Sequence, residues 1–218
     1  MTLDDYIEQH TTGEADNLWQ LERETHTRLL YDHMCCGHVQ GRLLKMLVTM
    51  IRPQRVLELG TYSAYSTLCI AEGLTGDATV DTIELEDELE PFIRRHLNRS
   101  LVGHRVKLHI GDAMTVIPTL PGTFDLVYID ANKRHYCDYY NTVKPRLSHC
   151  GYIIADNTLW DGKVIDTDAD DAQTRGIRDF NDMVLADPDA EVVMLPLRDG
   201  LSLIRITVDP TSPRPHIK

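Results

Sequence analysis

The chain has 218 residues, 34 acidic against 22 basic side chains, and a formal charge of −12; 42% of its residues are hydrophobic and 26% charged. That length and balance suit one globular domain that folds by burial alone, and they exclude disordered, collagen-like and disulfide-framework chains. The net charge opposes a nucleic-acid partner, and no stretch of about 18 apolar residues exists to span a bilayer, so we expect no nucleic acid, no membrane and a cytoplasmic location.

In chain order, residues 17–31 and 36–51 read as helices, the second with an apolar stripe of Leu43, Leu44, Leu47, Val48 and Ile51 that Pro53 brings to an end. Short β-rich runs then alternate with helical stretches: strands at 55–60, 79–85, 106–111, 124–130 and 152–157, and helices at 65–73, 87–98 and 136–147. Crossovers of that length join parallel strands. Residues 191–195 and 201–207, joined across 196–200, read instead as an antiparallel hairpin, so the sheet is mostly parallel with one reversed strand. We expect a single domain over 1–218, with N-terminal helices at 1–52, a sheet core at 53–208 and a loose, proline-bearing tail at 209–218.

Several clusters have plain structural readings. Arg94, Arg95 and Arg99 fit the polar face of a helix. Cys35, Cys36, Cys69, Cys137 and Cys150 form an odd set without a Cys-x-x-Cys pair, which suits reduced, mostly buried thiols. His33 and His38, like His104 and His109, are five apart and do not share a helical face, which opposes a histidine metal site. The acidic stretch 166–171 lacks the glycine turn and closing glutamate of an EF-hand and reads as a solvated loop.

Ligands of an open α/β sheet bind beyond the carboxyl ends of its strands, so the strand ends carry the chemistry. The first strand runs into a turn with one glycine, Gly60, where a dinucleotide binder needs three. Glu84, ending the second strand, occupies the acidic position that hydrogen-bonds ribose hydroxyls. A nucleoside without phosphates fits both, and S-adenosylmethionine is one. Glu58, inside the apolar first strand, is either part of that site or an acid paired with Arg or Lys. Asp130 ends one strand and Asp156 with Asn157 another; if those strands are neighbours, two carboxylates and an amide converge as a hard-oxygen site for Mg2+, Ca2+ or Mn2+. Strand-end acids that only cap loops are the competing reading. Lys133 lies within reach of the same crevice as a base or as a surface lysine, and Trp160 either walls an acceptor pocket or fills the core.

Four stretches, 56–66 (VLELGTYSAYS), 130–133 (DANK), 155–160 (ADNTLW) and 194–200 (MLPLRDG), resemble the cation-dependent O-methyltransferases, which include caffeoyl-CoA and catechol O-methyltransferases. The likeness runs from Met34 to Ile206. It implies the class I methyltransferase fold: α/β and Rossmann-like, with a seven-stranded, mostly parallel sheet, one antiparallel strand and helices on both faces. It also implies a homodimer and methyl transfer to one hydroxyl of a vicinal dihydroxy aromatic. By the same resemblance Asp130, Asp156 and Asn157 are metal ligands, and Lys133 is the catalytic base. Glu84 holds the ribose; Glu58, Gly60, Tyr62 and Ser66 line the methionine end; Asp112, Ala113 and Met114 line the adenine. Met34, Cys36 and Asp130 complete the cofactor set, and Lys133, Asn157 and Trp160 meet the phenolic acceptor. Two residues depart from the family pattern: Ala64 stands where glycine is usual, and Asn132 where aspartate is usual. The competing functions are an inactive methyltransferase-like binding protein and a nicotinamide-dependent oxidoreductase.

Overall fold

The computed structural model describes residues 1–207, so the expected tail at 209–218 lies outside the described residues. The chain divides into two compact units, Met1–Val116 and Ile117–Lys218.

In the first unit, β1 (Arg55–Leu59), β2 (Thr79–Glu84) and β3 (Val106–Ile110) run parallel in the spatial order β3-β2-β1. Val56, Leu57, Glu58 and Leu59 are all inaccessible to solvent, which explains why this strand reads as an apolar run interrupted by one acid. Around it lie α1 (Leu3–Gln9), α2 (Asp16–Arg28), α3 (Gly37–Ile51), α4 (Tyr65–Gly73), α5 (Glu90–Arg99) and α6 (Ala113–Val116). Helix α2 stops three residues short of its expected end, because Leu29 is extended (ψ 146°), and a separate 3-10 turn follows at 32–34. Helix α1 had no periodic signal: it buries none of its residues and is held by a capping box between Thr2 and Asp5. The arginine cluster is a helix face, as read. Arg94 bonds Glu90 along α5, while Arg95 and Arg99 reach Glu24 on α2.

In the second unit, β4 (Phe124–Ile129), β5 (Leu147–Asp156), β6 (Ala190–Leu195) and β7 (Leu201–Ile206) follow the order β4-β5-β7-β6. β4 and β5 are parallel, and β7 is antiparallel to both β5 and β6, which makes β7 the one reversed strand. The helices are α7 (Tyr136–Val143) and α8 (Ala172–Ala186). Helix α7 ends before Pro145 rather than at 147, and Leu147 already opens β5. That strand starts five residues earlier than expected; a register shift opposite Phe124 and Leu126 and a left-handed Cys150 (φ 60°) mask its alternation. Helix α8 lacked a sequence expectation altogether. Asp171, read as part of a solvated acidic loop, is its N-cap and accepts from the backbone of Gln173 and Thr174; Thr174, Ile177, Phe180 and Val184 form the buried stripe.

Candidate active site

In the first unit the turn after β1 runs through left-handed backbone, which glycine adopts freely and a β-carbon disfavours: Gly60, Tyr62 and Ala64 have φ of 95°, 48° and 70°. The amides of Gly60 and Thr61 both donate to the Ile83 carbonyl, which carries the β1–β2 pairing into the turn. Glu84, 6% exposed, fastens it from β2: Oε2 accepts from the Tyr62 amide at 2.6 Å and Oε1 from the Glu86 amide at 2.9 Å. The Glu84 carbonyl in turn accepts from Gly111, tying the end of β3 to the same place.

Glu58 lies beneath the turn and is fully buried. Its Oε1 accepts from Ser66 Oγ at 2.7 Å, and its Oε2 from Thr82 Oγ1 at 2.6 Å and from Thr67 Oγ1. Hydroxyl donors thus offset the desolvation of the carboxylate and tie β1 to the first turn of α4 and to β2. Asp112 follows β3 and accepts from the Met114 amide at 2.8 Å, shaping the bend that carries Ala113 and Met114. Burial pushes the Tyr62 phenol above its ordinary pKa, the side chains of Cys35 and Asp32 add to the rise, and the Tyr31 backbone opposes it. The segment bearing Met34, half exposed, and Cys36, buried, therefore passes close to the turn.

In the second unit β4 and β5 pair with Ile129 opposite Ala155, so Asp130 and Asp156 leave neighbouring strands side by side, and such strands lie about 4.8 Å apart. This meets the condition on which the hard-oxygen reading rested. Asp156 is buried, with Oδ2 accepting from Tyr128 Oη and Oδ1 from the Asn157 amide, each at 2.8 Å. Tyr136 Oη donates to the Asp156 carbonyl at 3.0 Å. Burial, with the charges of Asp130 and Asp156, pushes that phenol well above its usual pKa and keeps it a donor.

Lys133 Nζ donates to Asp130 Oδ1 at 2.8 Å and lies 5.5 Å from the Tyr136 ring centroid and 6.0 Å from that of Trp160. It is 13% exposed, which removes the surface-lysine reading. Trp160 is half-buried rather than in the core, and its buried indole nitrogen has no acceptor among the described residues. Asn132 is exposed and caps the 133–135 turn by accepting from the Arg134 amide at 3.2 Å, a task that a neutral amide performs as well as a carboxylate.

Among the described residues no three His, Cys, Asp or Glu side chains gather into a cage. A cation at this place would rest on Asp130, Asp156, the amide oxygen of Asn157 and oxygens brought by the ligand.

A sequence profile of the O-methyltransferase family matches residues 8–207. The chain belongs to the O-methyltransferase family. It is 30% identical to a caffeoyl-CoA O-methyltransferase of Petroselinum crispum, over 84% of this chain and 81% of that one. It is 31% identical to a catechol O-methyltransferase of Niastella koreensis, over 75% of this chain and 78% of that one. The crystal structure of the O-methyltransferase TomG from Streptomyces achromogenes, involved in tomaymycin synthesis and in complex with S-adenosylmethionine, superposes with a TM-score of 0.85; the two share 28% identity over 94% of this chain and 96% of that one. The fold is the expected seven-stranded, mixed α/β methyltransferase fold.

Several residues that shape this O-methyltransferase's candidate site gave no sequence signal. A β-carbon on Gly176 of α8 would lie 2.4 Å from the Lys133 carbonyl, so that glycine lets the helix pack against the lysine's backbone. Arg178, two residues on, donates to the carbonyls of Lys163, Val164, Asp166 and Ala169 and gathers the loop after Trp160 into shape. That loop, with Arg198 and Asp199, lines a recess of about 570 Å3. Only the glycine inside an otherwise helical stretch could have been flagged, as a site of close approach.

Proposed function

We propose that the enzyme transfers the methyl group of S-adenosylmethionine to one hydroxyl of a catechol-like small molecule, with a divalent cation such as Mg2+ at the acceptor. The observation that carries this reading is the register of β4 against β5, which sets Asp130 beside Asp156 and Asn157. Two carboxylates and an amide are hard-oxygen donors suited to such a cation. The named activities of the relatives, on caffeoyl-CoA and catechol, and the S-adenosylmethionine bound by TomG support the same reading.

In this proposal Glu84 holds the ribose, Gly60, Tyr62 and Ser66 the methionine end with Glu58 anchoring Ser66 from below, and Asp112, Ala113 and Met114 the adenine; Met34, Cys36 and Asp130 complete the cofactor set. When bound, the cation supplies Lewis acidity that lowers the pKa of an acceptor hydroxyl. Lys133 Nζ takes that proton. Trp160 offers an aromatic wall for the acceptor ring, and Asn157 a polar contact. The acceptor oxygen forms the new bond to the methyl carbon as the carbon–sulfur bond breaks, and S-adenosylhomocysteine leaves.

Tritiated S-adenosylmethionine with catechols, caffeoyl thioesters and flavonoids, with and without EDTA, tests the reaction. Label should pass to a vicinal diol, stop with EDTA and return with Mg2+; transfer indifferent to EDTA would sink the cation role. Lys133→Ala should lower turnover by about 10²–10⁴-fold, the usual size of a general-base contribution, with S-adenosylhomocysteine affinity unchanged. We further propose a homodimer built from chains that each fold as one domain, to be checked by light scattering and by a single unfolding transition. No helix of the described residues is long and apolar enough to cross a membrane.

A further inference from the structure

An amide ligand has a weakness that a carboxylate lacks: rotated by half a turn, it presents an NH2 to the cation in place of an oxygen. Asn157 is subject to it, and its backbone does not settle the matter, because it sits in the left-handed region at φ 58°, followed by Trp160 at 47° and Asp161 at 54°. Three non-glycine residues in that region within five positions hold their shape only where the surroundings over-determine them.

The surroundings here are the corner of the β6–β7 hairpin. The Asp199 carbonyl accepts from the Leu159 amide at 2.9 Å and the Gly200 carbonyl from the Thr158 amide at 3.1 Å. Gly200, at φ 89°, packs so closely that a β-carbon there would lie 2.6 Å from the Leu159 nitrogen. The Asp199 side chain divides its two oxygens between two partners: Oδ1 accepts from the Asp161 amide, and Oδ2 from Asn157 Nδ2 at 3.3 Å.

A carboxylate only accepts, so the edge of Asn157 that faces Asp199 must be the NH2 edge. We propose that Asp199 is a positioning residue that selects the face of the Asn157 amide, fixing nitrogen toward the hairpin and presenting Oδ1 as the cation ligand. The arrangement is the oxygen-ligand counterpart of the carboxylates that orient metal-bound histidines. It rests on the proposal that Asn157 is a ligand, and it gives the aspartate of the 194–200 stretch a task that no contact with the cation would require.

The test reads Mn2+ affinity by electron paramagnetic resonance and calorimetry, without acceptor or methyl donor. Asp199→Asn should weaken Mn2+ about 10–100-fold, as loss of a ligand-orienting partner generally does, because residue 199 can then present an NH2 to which Asn157 turns its own oxygen. The exchanged pair N157D/D199N should recover most of that loss: the carboxylate then at position 157 has an oxygen on either face, and the amide then at position 199 can donate to it. A role for Asp199 in loop stability alone predicts that N157D changes Mn2+ affinity by the same factor in the presence and in the absence of D199N. D199N that binds Mn2+ within about twofold of wild type, or a double variant no tighter than D199N, overturns the inference. Should D199N fail to fold, N157D/D199N against N157D carries the comparison, with tighter binding by the double variant supporting the proposal and equal or weaker binding overturning it. Wild type that binds no Mn2+, or binds it undiminished in Asp156→Ala, overturns the cation reading itself, an outcome distinct from the others.

Discussion

Gly176→Ala sets two effects of known size against each other. Within a helix interior, alanine is favoured over glycine by about 0.5–1 kcal/mol. The added β-carbon, however, would stand 2.4 Å from the Lys133 carbonyl oxygen and 3.0 Å from the Arg134 α-carbon. Both are backbone atoms that cannot rotate away. Ordinary contact begins near 3.4 Å, so the 133–134 turn must retreat by about 1 Å, and overpacking of that kind costs about 1–3 kcal/mol. Stability should therefore fall by about 0–2.5 kcal/mol. Turnover should change far more, because displacement of a catalytic group by about 1 Å can cost 10²-fold. The prediction is a kcat lower by about 10–100-fold, with S-adenosylhomocysteine affinity unchanged and a stability loss from urea unfolding within that range. The measurements are single-turnover methyl transfer, calorimetry and urea unfolding. A kcat within about twofold of wild type, in a variant whose Lys133→Ala counterpart is impaired, would refute the claim that the α8 contact places the lysine.

Glu58 offers a contrast between shape and charge. Glu58→Ala leaves the hydroxyls of Ser66, Thr67 and Thr82 without their carboxylate and should lower stability by about 3–5 kcal/mol, whereas Glu58→Gln, whose amide the rotatable hydroxyls can both donate to and accept from, should lose only about 1–2 kcal/mol; equal losses in urea titrations would show that an amide cannot stand in for the carboxylate. Asp187 gives a pH dependence of defined sign. Burial acts to raise its pKa, but Lys144 Nζ at 2.6 and 2.8 Å and Tyr140 Oη at 2.7 Å overcome this and hold it below the usual carboxylate value. A folded pKa below the unfolded one means that the stabilisation is present above about pH 3.9, the ordinary value for Asp, and fades as pH falls through the folded pKa. The stability gap between wild type and Asp187→Asn should thus be constant from neutral pH to about pH 5 and shrink below about pH 4; a gap that widens in acid would contradict it. Finally, Gly200→Ala should destabilise the enzyme and weaken Mn2+ binding together, since the β-carbon would drive the Leu159 backbone from the hairpin corner; normal Mn2+ affinity in a folded variant would separate that corner from the cation site.

How much of this could be read from the residues depended on whether the cause was local. β1 announced itself because burial on both faces gives a short apolar run, and α4 came out at its true bounds because its turn chemistry is contiguous with it. Helix α8 was hidden because Gly176 interrupts it and its cap, Asp171, is the last of a run of acids that looked merely solvated. Asp130 and Asp156 were identifiable as strand ends, yet their adjacency depends on β4 pairing with β5, which no local pattern states. Asp199 lies 42 residues from Asn157 in the chain and acts only through a corner formed after the hairpin docks. Glu58 was ambiguous for a related reason: its hydroxyl partners come from β2 and from the start of α4, and a strand-borne acid looks the same in sequence whether hydroxyls or an arginine satisfy it.

The way Arg178 grips the loop after Trp160 bears on how such an enzyme can diversify. All four of its acceptors there are main-chain carbonyls, those of Lys163, Val164, Asp166 and Ala169, and a carbonyl is the same whatever residue carries it. Much of the loop's path is therefore written into the arginine, with the bond from the Asp168 amide to the Asp166 carboxylate beside it. Apart from Asp166, whose carboxylate accepts from the Asp168 amide, the side chains of 163–169 are not what the arginine holds, so a lineage could vary them without first having to solve the folding of a new loop.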